Sequence, residues 1–335
     1  MSEIFKRLAN LPPEKRRLLE QLLQKENLLS LSPDIRLQER QRSSANSTGE
    51  KDNVHDCSDE RESLIDKSCS PSDSRYSSNE IKENQRNFYD LVSQQRDSTV
   101  FSQHARFLNY GFIADDTPQY AKVELPNYTI NKNSIKLVLE VIGDCDFTDM
   151  RILDIGCGRG GSIDVITKYF QPQEIIGIDL YSSAIAFCRS NYSYSHAKFF
   201  EGDAENLQFT DDYLDIILNI ESSHNYPDIF NFYREVYRIL KIGGLFLYAD
   251  FFSIPQVDSC LSYLQALGFS LEKQRDITNN VVLSCDETAP QRLEAFRQEN
   301  NPQIMRNFLG VPGSQIYKDM KNQKLTYRIF KFKKD

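Results

Sequence analysis

Between residues 150 and 251 the apolar residues come in short blocks, separated by stretches of a different period. The blocks are RILDIG (151–156), EIIGID (174–179), KFFEGD (198–203), LDIILNI (214–220) and GLFLYADF (244–251). Short apolar runs rich in Ile and Leu predict strands buried on both faces. SIDVITKYF follows the first block and SSAIAFCRSN the second, and both repeat their apolar residues at helical spacing. NFYREVYRILK (231–241) does the same and stops before Gly243 and Gly244. This alternation predicts an α/β fold, a doubly wound, mostly parallel sheet with helices on both faces. FSLEKQRDIT and LTYRIFKFKK, near the C-terminus, are strand-like with a helical insertion between them.

The pattern changes towards the N-terminus. In residues 1–30, Pro12 and Pro13 stand where a helix can start, and Leu18, Leu19, Leu22 and Leu23 follow at helical spacing. Such a helix packs on its own domain or docks to a partner protein. Residues 31–79 hold twelve serines, seventeen charged residues and no phenylalanine. A segment like that buries too little apolar surface to offset its ordering entropy, and it reads as a disordered linker. Residues 80–335 form the folded domain.

Composition narrows the function. A net charge of −8 argues against nucleic acid, whose binding needs a basic patch. No apolar run is long enough to span a membrane, and the N-terminus lacks the apolar core of a secretory signal. Seven scattered cysteines without a CxxC pair fit reduced thiols and a cytoplasmic protein. Four dispersed histidines show no metal-ligand spacing, and no metal is expected.

The segment richest in chemistry is Asp154-Ile155-Gly156-Cys157-Gly158-Arg159-Gly160-Gly161, which follows a strand and opens a helix. Its glycines permit a tight turn and close approach of a ligand to the backbone. Asp179 ends the next strand, where an acid can accept from ribose hydroxyls. Gly156, Gly158 and Gly161 satisfy the G-x-G-x-x-G of nicotinamide-dinucleotide proteins, so an NAD-dependent oxidoreductase stays open. Three features favour S-adenosylmethionine. Asp154, at the mouth of the loop, suits a cationic amino acid and repels a pyrophosphate. Asp203, after the third strand, can reach an adenine amino group. The chain shows no second mononucleotide half. Beyond the fourth strand comes NIESSHNYP (219–227), at the ligand-facing end of a parallel sheet. His224 there suits a base for a hydroxyl, and Glu221 can fix its tautomer.

The loop DIGCGRGG, the acid in GIDLY, GDAENLQF and LKIGGLFLYADF together resemble the motifs of class I methyltransferases. The likeness covers roughly 85–335 and implies a seven-stranded sheet with one antiparallel strand. It also implies a cofactor set of Asp154, Gly156, Cys157, Gly158, Asp179, Leu180, Asp203, Ala204 and Asn219. FLNYGF (107–112) with ESSHNYP is similar to O-methyltransferases of polyketide and nonribosomal-peptide assembly lines, and to tailoring enzymes of complex lipids. That similarity implies an N-terminal helical lid at about 85–130, Tyr110 in the cofactor pocket, and a His224–Glu221 pair as general base. The expected acceptor is a hydroxyl of a polyketide, peptide or lipid-type metabolite, free or tethered to a carrier protein. C- or N-methylation of a sterol- or quinone-like molecule is the alternative within the same class. LANLPPEKRRLLEQLL resembles the short helices between assembly-line modules, which would make residues 1–30 a docking element. The insertion 289–313, with Arg292, Arg297 and Arg306, is expected over the acceptor side.

Overall fold

The structure is a computed structural model, and it describes residues 77–83, 85–86, 89, 106–115, 123–126, 129, 131–295 and 302–335. The expected helix at 1–30, most of the 31–79 linker and much of the 85–130 lid lie outside the described residues.

Seven strands form one sheet in the order β3-β2-β1-β4-β5-β7-β6. They are β1 (Arg151–Ile155), β2 (Glu174–Asp179), β3 (Ala197–Glu201), β4 (Leu214–Ile220), β5 (Leu240–Ser253), β6 (Phe269–Asp276) and β7 (Leu325–Lys334). β1 to β5 run parallel, and β7 is antiparallel to both β5 and β6. The first block-to-strand matches hold closely, and the antiparallel β7 is the one implied by the class I likeness.

Alternation along the strands builds two cores. Ile152, Leu218, Leu247 and Ala249 face α1 (Lys132–Ile142), α2 (Gly161–Tyr169) and α3 (Ser182–Asn191). Leu153, Ile155, Ile217, Phe246 and Tyr248 face α4 (Ile229–Ile239) and α5 (Ile254–Leu267). Neighbours in sequence point to opposite faces because the strand period is two. The β6–β7 connection carries α6 (Thr278–Ala295), α7 (Pro302–Leu309) and α8 (Gln315–Lys321). α6 and α8 join the first core through Val281, Cys285, Tyr317 and Met320.

One boundary differs from expectation. The fourth helix ends at Ile239 and β5 begins at Leu240, before the two glycines. Leu214 pairs with Leu240, but Ile216 pairs with Leu245, so the strand carries an irregularity at Gly243 and Gly244. A Cβ at Gly244 would sit 2.9 Å from the Asp215 carbonyl, so the close approach explains the glycine.

Candidate active site

The C-terminal ends of β1, β2, β4 and β5 open on a cavity of about 430 Å³. Open parallel sheets bind ligands at this edge. Gly156, Cys157, Gly158, Asp179, Leu180, Asp203, Ala204, Tyr110, Glu221 and His224 all line it. Asp154 and Asn219 do not, and both are buried behind the wall. Asp154 shares the Ile152 face of β1, so its carboxylate turns towards α2 and Ser162 rather than into the mouth of the loop.

The loop is tightly built. Gly156 has φ 73° and Gly158 has φ 52°, both left-handed. A Cβ on Gly156 would lie 1.9 Å from Ser222 Oγ, so only glycine lets this turn meet the turn after β4. Asp179 Oδ2 accepts from the Gly158 N–H at 2.7 Å, and Oδ1 accepts from Tyr181 N–H at 3.0 Å. Burial pushes Asp179 up to about 6, against the pull of those N–H groups. Burial, and then the nearby Asp179 charge, push Asp154 up to about 7. One Asp154 oxygen has no hydrogen-bond partner. Four carboxylates on the wall, Asp179, Asp203, Glu221 and Asp319, with Asp154 behind it, outnumber the cations Lys82, Arg106 and Arg159 there, which disfavours a pyrophosphate and favours a cationic ligand. The residues present therefore fit the sulfonium and ammonium charges of S-adenosylmethionine.

Asp203 is already engaged. Its Oδ1 accepts from Glu205 N–H at 2.9 Å, and its Oδ2 accepts from Lys82 Nζ at 2.7 Å. Lys82 also pairs with Glu205. Residues 78–83 are helical, and Lys82 of this segment lines the cavity beside Asp203. The sequence reading did not single out Lys82.

The expected His224–Glu221 pairing is replaced by a different one. His224 Nδ1 lies 2.9 Å from Asp250 Oδ1, at the end of β5. The fully buried Asp250 also accepts from Ser223 Oγ at 2.7 Å, His224 N–H at 3.1 Å and Phe251 N–H at 2.9 Å. Glu221 instead accepts from the Tyr110 N–H at 2.8 Å and the Tyr327 hydroxyl at 2.9 Å. The reason is backbone direction. Glu221 has φ 50°, a left-handed value rare for a non-glycine residue, which turns its side chain to β7 and the 107–112 segment. Burial pushes Glu221 up to about 7, and Asp250 adds to that, while the two donors pull back. A signal for Asp250 was present: it is the one charge in the apolar run GLFLYADF, and a charge is buried there only with partners.

Segment 107–112 is part core and part wall. Phe107 and Leu108 line the cavity, while Tyr110 and Phe112 are buried in the first core. Ser284 Oγ donates to the Tyr110 carbonyl at 2.8 Å, and Arg292 donates to the carbonyls of Leu309 and Asn109. Arg306 donates to the Pro312 carbonyl. Arg292 and Arg306 therefore clamp backbone rather than present charge to a ligand. Arg297 lies outside the described residues. Phe308, Ile316 and Leu325, with Phe251, add apolar lining to the same cavity.

Comparison with known proteins agrees with this geometry. Residues 153–248 match the methyltransferase domain family. The chain is 32% identical over 258 residues to a fatty-acid O-methyltransferase of Mycolicibacterium smegmatis, covering 72% of this chain and 91% of that protein. The chain belongs to the class I S-adenosylmethionine-dependent methyltransferases. It is 30% identical over 233 residues to a phthiotriol/phenolphthiotriol dimycocerosates methyltransferase of Mycobacterium tuberculosis, covering 68% of this chain and 85% of that one. The crystal structure of the [4+2]-cyclase SpnF shares the fold, with TM-score 0.59 and 17% identity over 76% of this chain and 96% of that chain. As a methyltransferase the protein uses S-adenosylmethionine, and the nicotinamide alternative falls. The antiparallel β7 stands where a second mononucleotide half would have to begin.

Proposed function

We propose that this methyltransferase is an O-methyltransferase acting on a hydroxyl of a lipid-type or polyketide-like metabolite, with His224 as general base and Asp250 as its positioning partner. The observation that carries the reading is the Asp250–His224 contact at the cavity wall. A carboxylate on Nδ1 selects the Nδ1–H tautomer and leaves Nε2 to take a proton. Bound S-adenosylmethionine supplies an electrophilic methyl group. The wall of Gly156, Gly158, Asp179 and Leu180 would hold the cofactor, with Asp203 beside its adenine. His224 Nε2 takes the hydroxyl proton, and the buried Asp250 stabilises the imidazolium that forms. Alignment in a closed site provides much of the remaining acceleration.

The apolar lining from Phe251, Phe308, Ile316 and Leu325 supports an acceptor with a long hydrocarbon part. The two mycobacterial relatives, by their names, act on lipids. A fatty-acid carboxylate fits this site less well than a hydroxyl. It is already ionised at neutral pH and needs no base. It would also enter beside Glu221 and Asp319, where like charges repel.

The test is methyl transfer from labelled S-adenosylmethionine to a matched pair, a long-chain alkylphenol and a fatty acid of equal length. The reading expects methyl ether from the phenol and little ester from the acid. Ester alone would make the protein a carboxyl methyltransferase.

A further inference from the structure

The turn that carries His224 also carries Asn225. Asp250 takes donors on both oxygens, so it accepts from His224 Nδ1 as well, and Nε2 presents its lone pair. Asn225 Nδ2 lies 2.9 Å from that Nε2 and 3.2 Å from the Tyr89 hydroxyl. One amide N–H thus meets the base, and the other meets Tyr89.

Tyr89 belongs to the helical segment that crosses the cavity. Gln85 Nε2 donates to the Asn225 carbonyl at 2.6 Å, which fastens that segment to the same turn. Arg86 Nε donates to the Leu180 carbonyl at 3.3 Å, and the Tyr89 ring stacks on Tyr181 at 4.5 Å. The segment therefore spans from the adenosine end of the cavity to the base, and Asn225 is where it meets the base.

Resting on His224 as the base, we propose that Asn225 is a positioning residue whose amide occupies the proton-accepting nitrogen of His224 until an acceptor hydroxyl replaces it. The exchange is one donor for another. A hydroxyl supplies the hydrogen that Nε2 loses when the amide leaves. An ionised carboxylate supplies none, so displacing Asn225 leaves the lone pair unmatched. Asn225 thereby adds selectivity for acceptors that can donate.

The experiment is nitrogen-15 imidazole NMR on the full-length, ligand-free enzyme. The chain has four histidines, and His224→Ala assigns the signal by its loss. Among the described residues the titratable groups near the ring include Asp250 from β5 and Tyr89 from the crossing segment, with Glu221 and Asp319 on the same cavity, and Asn225→Ala leaves all of them in place. A donor to Nε2 favours the neutral ring, so its removal raises the His224 titration midpoint by about half a unit to one unit. Tyr89→Phe loosens the amide and moves the midpoint the same way by less. A dispersed amide spectrum verifies that each variant is folded. Where Asn225→Ala fails that check, the isosteric Asn225→Asp replaces it and raises the midpoint by more, because a carboxylate then faces Nε2. An unchanged or lowered midpoint, or an Nε2–H tautomer in the unmutated enzyme, overturns the proposal. Failure of the hydroxyl reading would appear in the transfer assay alone, since the NMR needs no acceptor.

Discussion

Single side chains decide most of the chemistry. Asp250→Asn keeps the shape beside His224 but lets an amide N–H face Nδ1, which favours the wrong tautomer. The expected loss is about a hundredfold or more in kcat, with binding of S-adenosylhomocysteine retained in calorimetry. Glu221 holds the 107–112 segment against β7, through Tyr110 and Tyr327. Glu221→Gln keeps an acceptor oxygen for both donors, so kcat stays within about threefold. A much larger loss would return Glu221 to the chemistry. Gly156→Ala puts a methyl group 1.9 Å from Ser222 Oγ at a left-handed φ. The backbone strain costs about 1–3 kcal/mol before the collision is counted. Thermal unfolding should show a lower midpoint, and titration should show lost cofactor affinity.

At the level of elements, the β1–α2 loop and the end of β2 hold two carboxylates raised by burial, Asp154 to about 7 and Asp179 to about 6. Their folded values lie above the usual range, so in the ligand-free protein these two groups bind more protons than in the unfolded chain between about pH 4 and 7. Their contribution to stability therefore falls as pH rises through that window. A cationic ligand favours the ionised carboxylates, so binding releases protons. The gain in melting temperature from S-adenosylmethionine should be larger at pH 8 than at pH 6. Equal gains would mean that neither carboxylate senses the ligand.

These elements also show what the sequence could and could not reveal. β2, β4 and α3 fall where the apolar blocks put them, because a strand or helix buried on one side leaves its period in the chain. The glycine loop was legible because glycine is required by φ and close approach. The His224–Asp250 contact was not legible as a pair. It joins the turn after β4 to β5, a long-range contact that leaves no period in the chain. Lys82 was hidden for the same reason, since its partners Asp203 and Glu205 are more than a hundred residues away.

For the whole molecule, the seven strands and both cores lie between residues 107 and 334. Among the described residues no helix is long and apolar enough to cross a membrane. A chain starting at Ser77 keeps all seven strands and both of these cores, so it should fold and bind S-adenosylhomocysteine with unchanged affinity. Loss of activity in that chain towards a carrier-tethered acceptor, but not a free one, would assign residues 1–30 to docking. Fold, cofactor and base act together in one reaction. Labelled methyl transfer to the alkylphenol is compared between the native protein and His224→Ala, with S-adenosylhomocysteine affinity measured in both. A lost general base costs about 10²–10⁴ in rate while leaving the cofactor wall intact. A drop of that size with binding unchanged is expected, and transfer that survives the substitution at near-native rate would rule His224 out as the base.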